Sequence, residues 1–436
     1  MANVRRVGFA AGVLHARADT MPLDRDGTSA EFIALVALTT SLVAMSIDSM
    51  LPALGDITRD LTPPDPNDRQ LVLTVFFGGL SLGQLVSGPV SDSIGRKPTL
   101  YAGLALFVLG GTLCALAPSF PLLLLGRLVA GFGAAGPRII SVAVVRDLHA
   151  GRAMARVMSF VSSIFILVPI VAPAFGQAVL FVGNWRLIFW LLVGVALVDG
   201  AWFAMRQPET LPPERRNRLS VAVVARGAAE AFRHPITLGY TLATGFVFGA
   251  FINYLSTSQQ VFQEQYGIGE LFPLFFGSLA AGIGLASVTN ARLVMRLGML
   301  RLARFAVSAE CVLATLFFGV SVLSDGHPPL AVFMAGMFGC FFCNGILFGN
   351  YNARALEPMG HIAGVAAAVT GCLSSAVGIA FGTPLGRAYD GTVSPIVAGF
   401  MLASFAALLC TELAEYRQRR ATLDAGDAAR PPSRAS

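Results

Sequence analysis

Twelve runs of roughly twenty apolar residues dominate this chain, each about long enough to cross the hydrocarbon core of a bilayer as a helix. They fall near 31–53, 70–91, 98–117, 120–145, 157–181, 185–205, 236–262, 271–291, 302–323, 328–351, 362–386 and 393–414. A soluble fold of 436 residues does not carry 55% hydrophobic and only 13% charged residues. Helices are the expected form because a run of this length satisfies its own backbone, whereas barrel strands are about half as long and alternate in polarity. The expected fold class is an all-α polytopic membrane protein in a lipid bilayer.

The net charge of +6 raises the question of a polyanionic partner, and the placement of the bases answers it. With the amino terminus in the cytoplasm and loops alternating sides, most of the 31 Lys and Arg fall on the cytoplasmic side. Only Arg59, Arg69, Arg186 and Arg387 fall on the other, while Arg127 and Arg138 lie inside a run. That asymmetry is the positive-inside rule, so both termini are expected in the cytoplasm and no nucleic acid is expected to bind. A bacterial cytoplasmic (inner) membrane is the expected location.

Six runs precede the one long polar interruption and six follow it. The expected division is a cytoplasmic tail at 1–29, a six-helix bundle at 30–206, a cytoplasmic linker at 207–235, a second bundle at 236–416 and a tail at 417–436. The first residues, broken by His15 and Arg17, lack the apolar run of a secretory signal, and Met21 is an alternative start. Two six-helix pseudo-repeats joined by a linker form the layout in which halves rock around a site at mid-membrane. The halves echo each other: Gly95-Arg96-Lys97 joins runs two and three, and a Gly and several Arg between Asn290 and Arg301 join runs eight and nine.

The six cysteines all lie within runs, and Cys340-x-x-Cys343 has no second pair or nearby histidine to complete a zinc or redox site. We expect no metal, no cofactor and no enzymatic centre, since a membrane enzyme needs clustered Asp, His or Glu at one membrane face.

Several segments carry a specific resemblance. Gly88-Pro89-Val90-Ser91-Asp92-Ser93-Ile94-Gly95-Arg96-Lys97 resembles the loop between helices 2 and 3 of the major facilitator superfamily. Ser46-Ile47-Asp48 through Pro52, Arg127 through Gly136 with Val145-Arg146-Asp147, and Asn184-Trp185-Arg186 resemble its bicyclomycin/chloramphenicol-type drug:proton antiporters. So do Tyr254 through Ser258 and Ala355 through Gly364. Pro169, Pro173 and Gly176 resemble the antiporter motif of helix 5, with Ala172 where that motif often has Gly. The resemblance implies a monomeric proton-coupled antiporter exporting drug-like or amphiphilic small molecules, driven by the proton gradient alone. The alternative is a transporter of a native metabolite, with symport included. In the family the loop latches the halves: Asp92 would meet the start of helix 11, and Arg96 an acid such as Asp147. Gly88, Gly95 and Lys97 complete that latch, although Arg96 and Lys97 also serve as topology signals.

Asp48, Asp199 and Glu310 lie inside runs, where an ionisable group costs several kcal/mol unless paired or hydrated. Asp48 and Arg127 fall at similar depth and are expected to pair if their helices are neighbours. Exchange between a charged, Arg-paired state and a neutral, dehydrated one would let Asp48 take up and release a proton. Arg138 lies eleven residues beyond Arg127, about three turns, so both occupy one helix face. That face is expected to line a water-accessible cavity, with Asp199 a candidate partner for Arg138. Gln84, Asn253, Tyr254, Gln259 and Asn344 are the other polar candidates for the cavity, among walls of Phe and Met that suit adaptable, lipophilic ligands.

Overall fold

The computed structural model describes residues 29–216 and 220–428, and among these there are helices but no strands. The tail expected at 1–29, Met21 included, lies outside the described residues except for Ser29. The first span is a broken helix. α1 (Ala30–Asp48) gives way to a 3-10 turn at Leu51–Ala53 around Pro52, and then to α2 (Leu54–Leu61). The remaining long helices are α3 (Leu71–Ile94), α4 (Arg96–Ala115), α5 (Phe120–Leu148), α6 (Gly151–Val182) and α7 (Trp185–Arg206). After the short helix α8 (Val221–Arg233) come α9 (Pro235–Gln259), α10 (Phe272–Leu297), α11 (Met299–Leu323), α12 (Leu330–Leu356), α13 (Ala363–Arg387) and α14 (Ser394–Ala428).

Local chemistry fixes these boundaries. The Ser29 hydroxyl accepts from the Phe32 amide at 3.1 Å and starts α1, and the Asn184 carboxamide does the same for α7 through the Arg186 amide. The loop expected at 88–97 is a single residue: α3 runs through Pro89 to Ile94 and α4 begins at Arg96. Gly95 alone turns the chain, at φ +115°, a conformation that a side chain rarely allows. Gly298, at φ +77°, makes the equivalent single-residue turn between α10 and α11. The two proline-bearing turns of α6 remain helical through Pro169 and Pro173.

The helices pack as two sixes with one pattern. In the first, α1 packs on α5, α6 and α7, α5 on α3 and α4, and α4 on α7. In the second, α9 packs on α12, α13 and α14, α12 on α10 and α11, and α11 on α14. The repeats meet along α3 with α13 and α6 with α10, the symmetric pair of contacts that an internal two-fold requires. In the first repeat α5 is packed through bare backbone: Gly131 lies against the Phe76 carbonyl of α3, and Gly133 against the Phe107 amide of α4. Toward α11 its counterpart α12 is spaced by side chains, with Phe317 and Leu313 on Gly336 and Gly339.

Candidate functional site

Bonds between the repeats gather at one end. The end bearing Gly95 is rich in bases and is called the basic face; the other is the far face. At the far face, the turn before α3 reaches into the second repeat. Arg69 donates to Glu264 at 2.6 and 3.1 Å and to the Gln259 carboxamide at 2.9 Å. Gln70 donates to Gln260 and to the Gly386 carbonyl, Asn67 to the Arg387 and Tyr389 carbonyls, and Arg387 pairs with Asp68. Glu264 lies on a π-helical turn at Gln260–Gln265, an irregularity common at functional positions. Going down α3, Thr74 meets Thr383 and Ser81 donates to the Cys372 carbonyl. Beyond Ser81 no hydrogen bond between α3 and the second repeat is found among the described residues. The hydrogen bonds that close the two repeats on each other are thus concentrated at the far face.

Beneath this closure lies Asp48, where α1 breaks. Its side chain is buried, at 5% exposure, and none of the described residues donates a hydrogen bond to it. Tyr254 of α9 is its electrostatic neighbour across the repeat boundary, with its hydroxyl buried and unpartnered. Tyr254 stacks on Phe276 and meets Phe341 edge-on at 4.7 Å, in an aromatic wall that continues through Phe251, Phe248 and Phe348. Behind the break stands Gly176. A β-carbon there would lie 1.8 Å from the Ser49 carbonyl oxygen, so only bare backbone fits.

The expected Asp48–Arg127 pair does not form. Arg127 is 1% exposed, donates to the Val72 carbonyl and the Ser46 hydroxyl at 3.0 Å each, and lies 4.2 Å over the Phe76 ring. Depth along a helix predicts height but not which way a side chain turns. Arg127 therefore binds α1 two residues before the acid and leaves Asp48 unpaired. The expected Arg138–Asp199 pair fails for the same reason. Asp199 turns into the interface with α1, where one carboxylate oxygen accepts from Thr39 at 2.7 Å and the other is buried without a partner. Arg138 remains exposed and unbonded among the described residues.

The other expected cavity residues disperse. Asn253 donates to the Pro395 carbonyl and faces α14. Gln259 belongs to the far-face closure. Asn344 of α12 is buried against Glu310 of α11, its amide nitrogen 3.1 Å from both carboxylate oxygens once the amide is oriented to donate. Gln84 stays half-buried beside Gly371, at the boundary of the repeats.

At the basic face Arg96 bonds to Asp147 at 2.9 Å, as the motif resemblance implies. It also donates to Asp92 at 2.6 Å and to the Ser91 hydroxyl at 2.7 Å. In this conformation Asp92 thus bonds Arg96 rather than the start of α13. That start is met by α8, through a Glu230–His361 pair at 2.7 Å and Gly227 against Val365. Lys97 reaches the Ala204 carbonyl at 3.4 Å, and Gly88 has open space where a β-carbon would stand. Sequence reading missed Glu209, whose carboxylate accepts from the Arg96 and Lys97 amides at 3.0 and 3.1 Å and caps α4. It also missed Arg69 and Glu264; a base breaking the charge asymmetry at the far face was the available signal. Among the described residues no cluster of His, Cys, Asp and Glu could hold a metal.

Known proteins share this architecture. The family model of the Major Facilitator Superfamily matches residues 36–383. The uncharacterized MFS-type transporter YdgK of Bacillus subtilis is 31% identical over 351 residues, spanning 79% of this chain and 85% of that one. A bicyclomycin resistance protein homolog of Haemophilus influenzae is 29% identical over 367 residues, or 84% and 91% of the two chains. In fold alone, the human organic anion transporter MFSD10 superposes with a TM-score of 0.64 at 17% identity, covering 88% of this chain and 99% of that one. Among the described residues, twelve long helices in two matching sixes tied together at one face are thus accounted for: this chain is a membrane transporter that belongs to the major facilitator superfamily.

Proposed function

We propose that the protein is a proton-coupled antiporter that exports lipophilic or amphiphilic small molecules across a bacterial cytoplasmic membrane by alternating access. It works as a monomer, with the basic face and both termini in the cytoplasm. The observation that carries this reading is Asp48: a buried carboxyl group without a bonding partner among the described residues, at a helix break beneath the closed face, with Tyr254 of the opposite repeat as its electrostatic neighbour. A carboxylate charge costs far more in a dry site than in a hydrated one, so protonation and opening of the far face are thermodynamically linked. With the far face open, Asp48 takes a proton from outside and the emptied carrier returns. With the basic face open, arriving cargo changes the surroundings of Asp48 and the proton leaves to the cytoplasm. The tight Gly176–Ser49 contact supports exchange over leak, because it seals the wall behind the acid. The resistance-protein relative supports export of a drug-like cargo.

The test is reconstitution in liposomes and expression in a pump-deficient host. Asp48→Asn is expected to abolish efflux driven by a pH difference and to lower resistance to the level of the empty host, with normal membrane insertion. Full efflux by Asp48→Asn, or solute movement at one rate with and without a pH difference, overturns the reading.

A further inference from the structure

Among the described residues Arg138 is a cation without a counterion, at a depth where such groups are rare. It lies ten residues from the end of α5, about 15 Å, which is beyond the reach of a side chain seeking the membrane surface. It is therefore not a topology signal. α5 presents Gly126, Gly133 and Pro137 to α4 and Leu128, Phe132 and Ala135 to α3. Arg127 and Arg138 occupy the face between these two contacts. Ala135 meets Gly83 of α3, so Arg138, about one turn further, lies below Ser81, the last tie between α3 and the second repeat. There the side chain is solvent-accessible, on a stretch of α5 that is flanked by α3 and α4.

None of the described acids bonds it, and Asp48, itself without a partner, lies toward the far face near the level of Arg127. Asp199 is fully buried against Thr39, Asp147 is held by Arg96, and Glu310 faces Asn344 in the other repeat. On α12, the counterpart of α5, Phe348 stands the same eighteen residues from its helix start, half-buried among Phe248 and Phe251. We infer that Arg138 is the headgroup subsite of the cargo space and selects amphiphiles carrying a carboxylate or similar anion, whose apolar body lies on the Phe248–Phe251–Phe348 wall. A guanidinium gains a bidentate, charge-assisted partner from such a cargo and none from a cationic one. This inference rests on the transport reading above but not on proton coupling.

The experiment is equilibrium binding to the purified full-length protein in nanodiscs, with no pH difference, using dansyl-labelled undecanoic acid, its primary amide and its amine counterpart. The acid is expected to bind about tenfold or more tightly than the other two, as a charge-assisted bond gives. Arg138→Gln removes the preference, and Arg138→Lys keeps most of it. Equal affinities in the native protein, no measurable binding of any of the three, or an undiminished preference in Arg138→Gln overturns the inference. Arg138→Lys controls for folding. Binding with the expected preference but without pH-driven transport sustains this inference and overturns only the antiport reading.

Discussion

Gly176 shows how much one hydrogen atom in place of a methyl can decide. The broken end of α1 and the proline-bearing turn of α6 touch through backbone alone, with the Ser49 carbonyl where a β-carbon would be. Gly176→Ala must push α1 away and disturb the residue next to Asp48. Overpacking of this kind costs about 1–3 kcal/mol. We expect a lower midpoint of thermal unfolding in detergent, together with proton leak in liposomes. Gly194→Ala, on α7 with open space around it, is the matched control and should be neutral or stabilising by about 0.5–1 kcal/mol, because alanine is the better helix former. A similar midpoint for both would show that the contact is not tight. At this scale the sequence was half legible. Asp48, Arg127 and Arg138 stood out because charge is expensive in an apolar run. Their partners did not, because neither rotamer nor helix azimuth is written in spacing. Arg127 found Ser46, a hydroxyl with no sign of special use.

Among elements, the α3–α4 turn is the clearest unit. Arg96 ties α3 to α5 through Asp92, Ser91 and Asp147, while Glu209, from the chain leaving α7, caps α4 from outside. Two amides at a helix start pointing at one carboxylate exploit the helix dipole. Removing it with Glu209→Ala is expected to cost about 1 kcal/mol locally, so the Arg96 and Lys97 amides should exchange hydrogen roughly five- to tenfold faster by mass spectrometry. Unchanged exchange would mean water replaces the cap at no cost. The helices themselves were legible from runs of apolar residues, since a membrane leaves the backbone little choice. The boundary chemistry was not. The loop expected over ten residues shrank to Gly95, and α2 was missed because Gly55, Asp56, Arg59 and Asp60 read as a polar loop while Leu54, Ile57 and Leu61 bury one face. The capping carboxylate lies more than a hundred residues from the helix it caps, and no local pattern announces such a partner.

For the whole molecule, the far-face closure sets the balance between conformations. Arg69 is buried and bidentate to Glu264, so losing that carboxylate strands a cation as well as cutting a tie. Glu264→Ala is expected to shift the equilibrium toward far-face opening by about 1–2 kcal/mol, roughly tenfold in population. Spin labels placed across that face should report a longer mean distance by electron–electron double resonance. The exchange of charges, Arg69→Glu with Glu264→Arg, should restore part of the closed population. If the distances do not change, closure resides in the Asn67, Gln70 and Asp68 bonds instead. Twofold organisation was visible in the six-and-six pattern and in the echo of Gly95 at Gly298, whereas the conformation was not, since it depends on small differences between contacts made and broken.

The contrast between the central helices α5 and α12 has a consequence for adaptation. One is welded to its neighbours main chain to main chain, the other upholstered with aromatic padding. A weld tolerates almost no added bulk, so the cation-bearing wall stays fixed in shape. Padding can be re-stuffed, which assigns the latitude for acquiring new cargoes to one lobe while its twin holds the anchor.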